Sequence, residues 1–185
     1  MQSDTVEIRW HGRGGQGAIT AAKIFAQAAF ESGFPGVLMA PSFGTERRGA
    51  PVEVSLKISK TKIYDVCPIE HPDVVVVLDD SILSEINVTA GIKPGGILVI
   101  NTPKGRAAYD SNHLRVATAD VTHLGEQAGL KRGIVNTGII GALAKALPIV
   151  PLPKLLEAIK EEFKGKKAAE NAEAARMTHA HTTME

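Results

Sequence analysis

Val6-Glu7-Ile8-Arg9-Trp10-His11-Gly12-Arg13-Gly14-Gly15-Gln16-Gly17 is the stretch that decides the fold of this chain. An apolar-alternating run stops at four glycines in six residues, and a helical pattern begins at Ala18. Gly12-x-Gly14-x-x-Gly17 has the form of a dinucleotide-binding turn and stands in the strand–turn–helix context that gives the motif meaning. Glycines permit positive φ and close backbone approach, and a helix start offers unpaired N–H groups and a positive dipole end to an anion. The segment predicts a turn built to sit against a phosphate-bearing ligand or another chain.

Outward from this turn, strand and helix patterns alternate. Val6–Trp10 reads as a strand, and Ala18–Ser32 as a helix with Ile19, Ala22, Ala26 and Ala29 on one stripe, ended by Gly33. Gly36–Ala40 is a short strand, Pro41–Pro51 a polar loop, and Val52–Ser59 a half-buried strand suited to an antiparallel return. The four valines in Val74–Asp79 fit a central strand buried on both faces. A brief helix over Asp80–Ile86, a turn at Lys93–Gly96, and strands at Ile97–Ile100 and Leu114–Ala117 follow. Asn136–Leu147 and Pro153–Lys164 read as packed helices. The pattern implies a Rossmann-like α/β fold, a three-layer α/β/α sandwich around a mostly parallel or mixed central sheet. A single domain over 1–165 is expected, followed by a tail over 166–185, helical or disordered, with too few large apolar residues to hold itself in place.

Composition removes several function classes. The 21 basic and 20 acidic residues leave a net charge of +1, and aromatics make up 4%, so a nucleic-acid module is disfavoured. One cysteine, Cys67, supports neither an internal disulfide nor an iron–sulfur cluster. It precedes Pro68 without a cationic neighbour and reads as a quiet buried thiol. No apolar run reaches the roughly 18 residues of a spanning helix, and a cytoplasmic chain is expected. Cys67, His71 and Asp73 have irregular spacing for a metal site, and His179 and His181 fall in the tail, where exposure is expected.

A nicotinamide site requires an acidic residue about 20 positions after the glycines, at the end of the second strand. Here that strand ends Met39-Ala40-Pro41-Ser42, so NAD binding is disfavoured. The loop Phe43-Gly44-Thr45-Glu46-Arg47-Arg48-Gly49-Ala50-Pro51 offers instead two adjacent arginines, suited to an ion pair or to bidentate binding of phosphate or carboxylate. In a doubly wound sheet this loop should lie beside the glycine turn. Asn101, Thr102 and Lys104 follow a buried strand, where ligand-facing polar groups collect. Asn136 fits a helix N-cap. His11 precedes the turn and is open to either a ligand contact or an orienting hydrogen bond.

Taken together, Ile8-Arg9-Trp10-His11-Gly12-Arg13-Gly14-Gly15-Gln16-Gly17-Ala18 and the Glu46-Arg47-Arg48-Gly49-Ala50-Pro51 loop resemble the gamma subunit of pyruvate:ferredoxin oxidoreductase and related 2-oxoacid:ferredoxin oxidoreductases. The resemblance continues through Pro72–Val77, Gly96–Asn101 and Asn136–Ala142, and its Arg-Arg-Gly-Ala-Pro form is closer to the pyruvate branch. It implies an assembly of anaerobic metabolism that oxidatively decarboxylates a 2-oxoacid, transfers the acyl group to coenzyme A and reduces ferredoxin. It also implies alpha, beta and delta-type partner subunits that carry thiamine diphosphate, magnesium and iron–sulfur clusters, with no nucleic acid or membrane as partner. This chain would close the active site, and the resemblance assigns no catalytic residue or metal to it. Gly12, Arg13, Gly14, Gly15, Gln16, Gly17, Thr45, Glu46, Arg47, Arg48, Asn101 and Thr102 are the candidates for coenzyme A binding or for a subunit interface. A stand-alone nucleotide-binding or regulatory module is the alternative.

Overall fold

The structure, a computed structural model, describes residues 5–42, 49–109 and 113–184. Its centre is a seven-stranded mixed sheet formed by β1 (Thr5–Arg13), β2 (Gly36–Ser42), β3 (Pro51–Ser59), β4 (Val74–Val77), β5 (Ile97–Asn101), β6 (Arg115–Ala119) and β7 (Thr183–Met184). The order is β2-β3-β1-β4-β5-β6-β7. β1, β4, β5 and β6 run parallel, whereas β3 is antiparallel to both β1 and β2, and β7 is antiparallel to β6. The α/β class, the mixed sheet and the antiparallel return of β3 agree with the sequence pattern. β1 continues three residues past Trp10 because His11, Gly12 and Arg13 pair with Glu53, Val52 and Pro51.

Strand alternation fixes the two faces. Ile8, Trp10, Val54, Leu56, Ile58, Val74, Val76 and Val99 enter the main core with α1 (Ala18–Glu31). Trp10 and Phe25 meet edge to face there, with centroids 6.4 Å apart. The buried stripe of α1 is wider than expected: Ala21, Ala22, Ile24, Phe25, Ala28 and Ala29 are buried, while Ile19 is half-buried. On the opposite face, Val75, Val77, Leu98, Ile100 and Val116 pack under Ile82 and Val88. The 3-10 turn at Asp80–Ser84 and the chain after it cover this face, so the two outer layers are unequal.

α2 (Val121–Gln127), which periodicity did not disclose, is capped by Asp120 accepting from His123 N at 3.0 Å. α3 (Asn136–Ala146) is buried except at Lys145 and packs on β5 and β6. α4 (Leu152–Glu162) and α5 (Ala168–His181) stack outside α1 and α3. The segment after Gly165 is thus helical and held, although large apolar residues are scarce in it. Ala172, Ala174, Ala175, Asn171 and Thr178 are buried, and Thr137 Oγ1 donates to Asn171 Oδ1 at 3.1 Å. Small side chains let the helix backbones approach closely, which hydropathy does not register. His179 is half-buried in this packing rather than exposed, whereas His181 is exposed. No helix of the described residues is long and apolar enough to cross a membrane.

Candidate functional site

β1 leads through α1 to one side of the sheet, while β4, β5 and β6 advance to the other. The order therefore reverses between β1 and β4, and ligands of open α/β sheets bind outside the carboxyl ends of strands at such a point. A cleft of about 220 Å³ lies here, lined by Gln16, Asp79, Asp80, Asn101, Arg132 and neighbouring residues.

The glycine turn forms one wall. Arg13 N donates to Gln16 Oε1 at 2.7 Å and Gln16 N to Arg13 O at 3.0 Å, closing a tight loop. Gly14 N donates to Ala50 O at 2.9 Å and Gly49 N to Gly14 O at 3.1 Å. The loop expected beside the turn is thereby brought there by its described end. Thr45, Glu46, Arg47 and Arg48 lie outside the described residues. Among the described residues, nothing accepts from the N–H groups of Gly15, Gly17 or Ala18, at the positive end of α1.

Gly17 has φ 80°, and a Cβ on it would lie 2.9 Å from Asn136 Nδ2. The expected capping role of Asn136 does not hold. Val135 occupies the cap position with αR backbone, and Asn136 is the first helical residue. Its buried Oδ1 has no hydrogen-bond partner, because the side chain is laid against Gly17 instead. Gly17→Ala should cost about 1–2 kcal/mol from the left-handed backbone, before any displacement of Asn136. Chemical denaturation of the free chain measures this, and an unchanged midpoint would refute it.

Arg13 is already engaged. Its guanidinium reaches Glu85 Oε1 at 2.6 Å, Ser81 Oγ at 2.8 Å, Gly49 O at 3.2 Å and Asp79 Oδ2 at 3.4 Å. The hydrogen bond to Glu85 leads the factors raising its pKa, so the charge is committed to structure rather than free as a phosphate fork. Asp79, which motif reading missed, joins the two walls. It accepts from Gln16 Nε2 at 2.8 Å and from Ser81 N at 3.0 Å. Burial opposes its ionisation, but hydrogen bonds from Ser81 and Gln16 and the nearby Arg13 outweigh that and hold the carboxyl below its usual range. The available sequence signal was an acidic residue two positions after a buried strand.

Asn101 lines the cleft, yet both ends of its amide are used. Nδ2 donates to Leu78 O at 2.9 Å, and Oδ1 accepts from Val121 N at 2.9 Å, fixing the start of α2. Thr102 is buried and donates to Asp80 Oδ2 at 3.0 Å, beside Tyr109, whose hydroxyl reaches the same oxygen at 2.9 Å. Lys104 Nζ is 3.4 Å from Asp80. His11 is on the other face of the sheet. Its Nε2 accepts from Arg9 Nε at 3.2 Å, and its buried Nδ1 is unpartnered, with Glu53 Oε2 at 4.0 Å. Arg9 also donates to the carbonyls of Val88 and Ala90.

Cys67 is exposed, contrary to the buried thiol expected. Its segment follows β3 without regular secondary structure, and a hydrogen bond to the Asp65 carboxylate pushes the thiol pKa up, which still makes it a poor nucleophile. No group of three metal-ligating side chains occurs among the described residues.

The family model described as pyruvate ferredoxin/flavodoxin oxidoreductase matches residues 7–180. The pyruvate/ketoisovalerate oxidoreductases common subunit gamma of Thermococcus kodakarensis is 47% identical over 175 residues, covering 92% of this chain and 93% of that protein. The crystal structure of pyruvate oxidoreductase subunit PORC from Thermotoga maritima is similar, with a TM-score of 0.84, 33% identity and 99% of each chain covered. The 2-oxoglutarate:ferredoxin oxidoreductase of Magnetococcus marinus, solved with 2-oxoglutarate, coenzyme A and succinyl-CoA bound, shares the fold. Its TM-score is 0.77 at 22% identity, over 97% of this chain and 31% of that one.

Proposed function

This chain belongs to the pyruvate ferredoxin/flavodoxin oxidoreductase family as a gamma subunit, and from that premise we propose that its cleft and glycine turn receive the phosphates of coenzyme A. The observation that carries the reading is the set of N–H groups at Gly15, Gly17 and Ala18, unpaired among the described residues, at the head of α1 beside the cleft. A helix N-terminus of this kind favours a diphosphate or a 3′-phosphate. Asn136 Nδ2, the donor end of the amide that lies against Gly17, adds a hydrogen bond to phosphate, and Arg47 and Arg48 supply the forked cations that Arg13 cannot.

In this reading the thiol arm of coenzyme A extends to the acyl intermediate across a subunit boundary. Alpha, beta and delta-type subunits hold thiamine diphosphate, magnesium and the iron–sulfur clusters, and ferredoxin docks on the complex. The assembly works on pyruvate or a close 2-oxoacid in the cytoplasm, and the gamma chain by itself has no activity. What the chain's own residues do is bind and orient: backbone N–H groups hold phosphate, and Asp79 with Gln16 keeps the turn in shape.

Replacing Arg47 and Arg48 together by alanine tests this in the assembled enzyme. The KM for coenzyme A should rise about tenfold or more, as expected for losing charge-assisted hydrogen bonds, with the KM for the 2-oxoacid unchanged. Equal changes in both constants, or none, would overturn the assignment. Dissociation of the complex before any kinetic change would make the arginines an interface lock instead.

A further inference from the structure

We propose that the α2–α3 loop and the α4–α5 turn form one basic lip that docks an acidic surface of a neighbouring protein subunit. This rests on the chain being a subunit, not on the assignment of coenzyme A to the glycine turn. The two segments are held together by Lys167, the one described non-glycine residue with positive φ, at 57°. Its Nζ donates to Gly129 O at 2.7 Å, and the Glu170 side chain packs close to Gly129. Lys131 and Arg132 on the first segment, and Lys164 and Lys166 on the second, are all exposed. None of these four has an ion-pair partner among the described residues.

The carboxylates beside the lip are Glu126 at the end of α2, Glu161 in the last turn of α4 and Glu170 in the first turn of α5. Glu162 at the end of α4 is taken by Lys23 at 2.9 Å. A chain of net charge +1 therefore sets five cations against three free carboxylates in one place. Like charges held together without counter-charges repel, and a complementary surface relieves that repulsion. Apart from Arg132, which also lines the cleft, the cations are long side chains spread over the surface, and Ile134, an exposed apolar residue, lies in the same loop as Lys131 and Arg132. A small anion needs convergent, preorganised donors; a spread of mobile cations around an apolar point suits a broad acidic protein surface, which it would steer and orient.

Amine acylation read by mass spectrometry tests the proposal directly. The labelling rates of Lys131, Lys164 and Lys166 should fall at least fivefold from the free gamma chain to the assembled oxidoreductase. A K131E/K164E/K166E variant, with its melting temperature checked against the parent, should associate about tenfold more slowly at low salt and lose most of its salt dependence. Equal labelling in free and assembled chain overturns the proposal, as does assembly of the variant at the parent's rate. Protection of these lysines by coenzyme A alone, with no other subunit present, also overturns it in favour of a small-anion site.

Discussion

Gly141→Ala is expected to destabilise the free chain by about 3 kcal/mol or more, at the upper end of what overpacking costs. Gly141 is on α3, where a Cβ would come 2.1 Å from the carbonyl oxygen of Ala175, 2.9 Å from its carbon and 3.0 Å from its Cα. Those atoms are backbone of α5, so no rotamer change relieves the clash and the whole helix must move. Moving α5 disturbs Ala172, Ala175 and the Thr137–Asn171 hydrogen bond together. For a chain of this size the loss corresponds to a fall of roughly 6–12 °C in melting temperature. Gly105→Ala is the control. No atom of the described residues lies within 4 Å of its Cβ position, and its change should stay within about 0.5 kcal/mol. Equal melting temperatures for the two variants would show that α5 is not seated on α3 in this way.

His11 should make the fold acid-sensitive over a defined window. Burial, and secondarily the Arg9 guanidinium, lower its pKa from 6.5 to about 4. The unfolded chain then takes up the proton first, so stability is complete above about pH 6.5 and declines as pH falls toward 4. A shift of this size removes about 3 kcal/mol by pH 4. Glu53, at 4.0 Å, faces the ring but is itself partly exposed, so it does not compensate. Urea titrations between pH 7.5 and pH 4 should show this decline in the parent and a distinctly shallower one in His11→Gln, whose side chain still accepts from Arg9 but does not titrate. Parallel pH profiles for the two proteins would remove His11 from the account.

The position of His11 illustrates which parts of the site were legible. Alternation along β1 assigns Arg9, His11 and Arg13 to one face and Ile8 and Trp10 to the other, and the structure keeps that division. Composition and spacing could not say that the polar face would be buried, with Arg9 bonded to carbonyls 79 and 81 positions away. Arg13 has the same history. As a cation in a glycine loop it reads as a phosphate ligand; Glu85 and Asp79, supplied by the end of β4 and the turn after it, consume it. Asn136 reads as a cap from its local sequence, but the approach of α1 places Gly17 against it. Cys67 reads as a quiet buried thiol because no cation neighbours it, yet its segment follows β3 without joining the sheet and stays exposed.

Local chemistry therefore determined the strand–turn–helix unit at Gly12–Gly17, the valine-rich central strand, the antiparallel return of β3 and the α/β class. Each depends on backbone freedom or side-chain period within a dozen residues. Tertiary structure decided what no such window contains: which donors of the glycine turn stay unpaired, how Asp79 joins its two walls, and why an alanine-rich C-terminal segment is seated. That segment is held by close backbone approach at Gly141 rather than by hydrophobic bulk. Such an approach is a property of two helices at once, and neither helix's sequence encodes it alone.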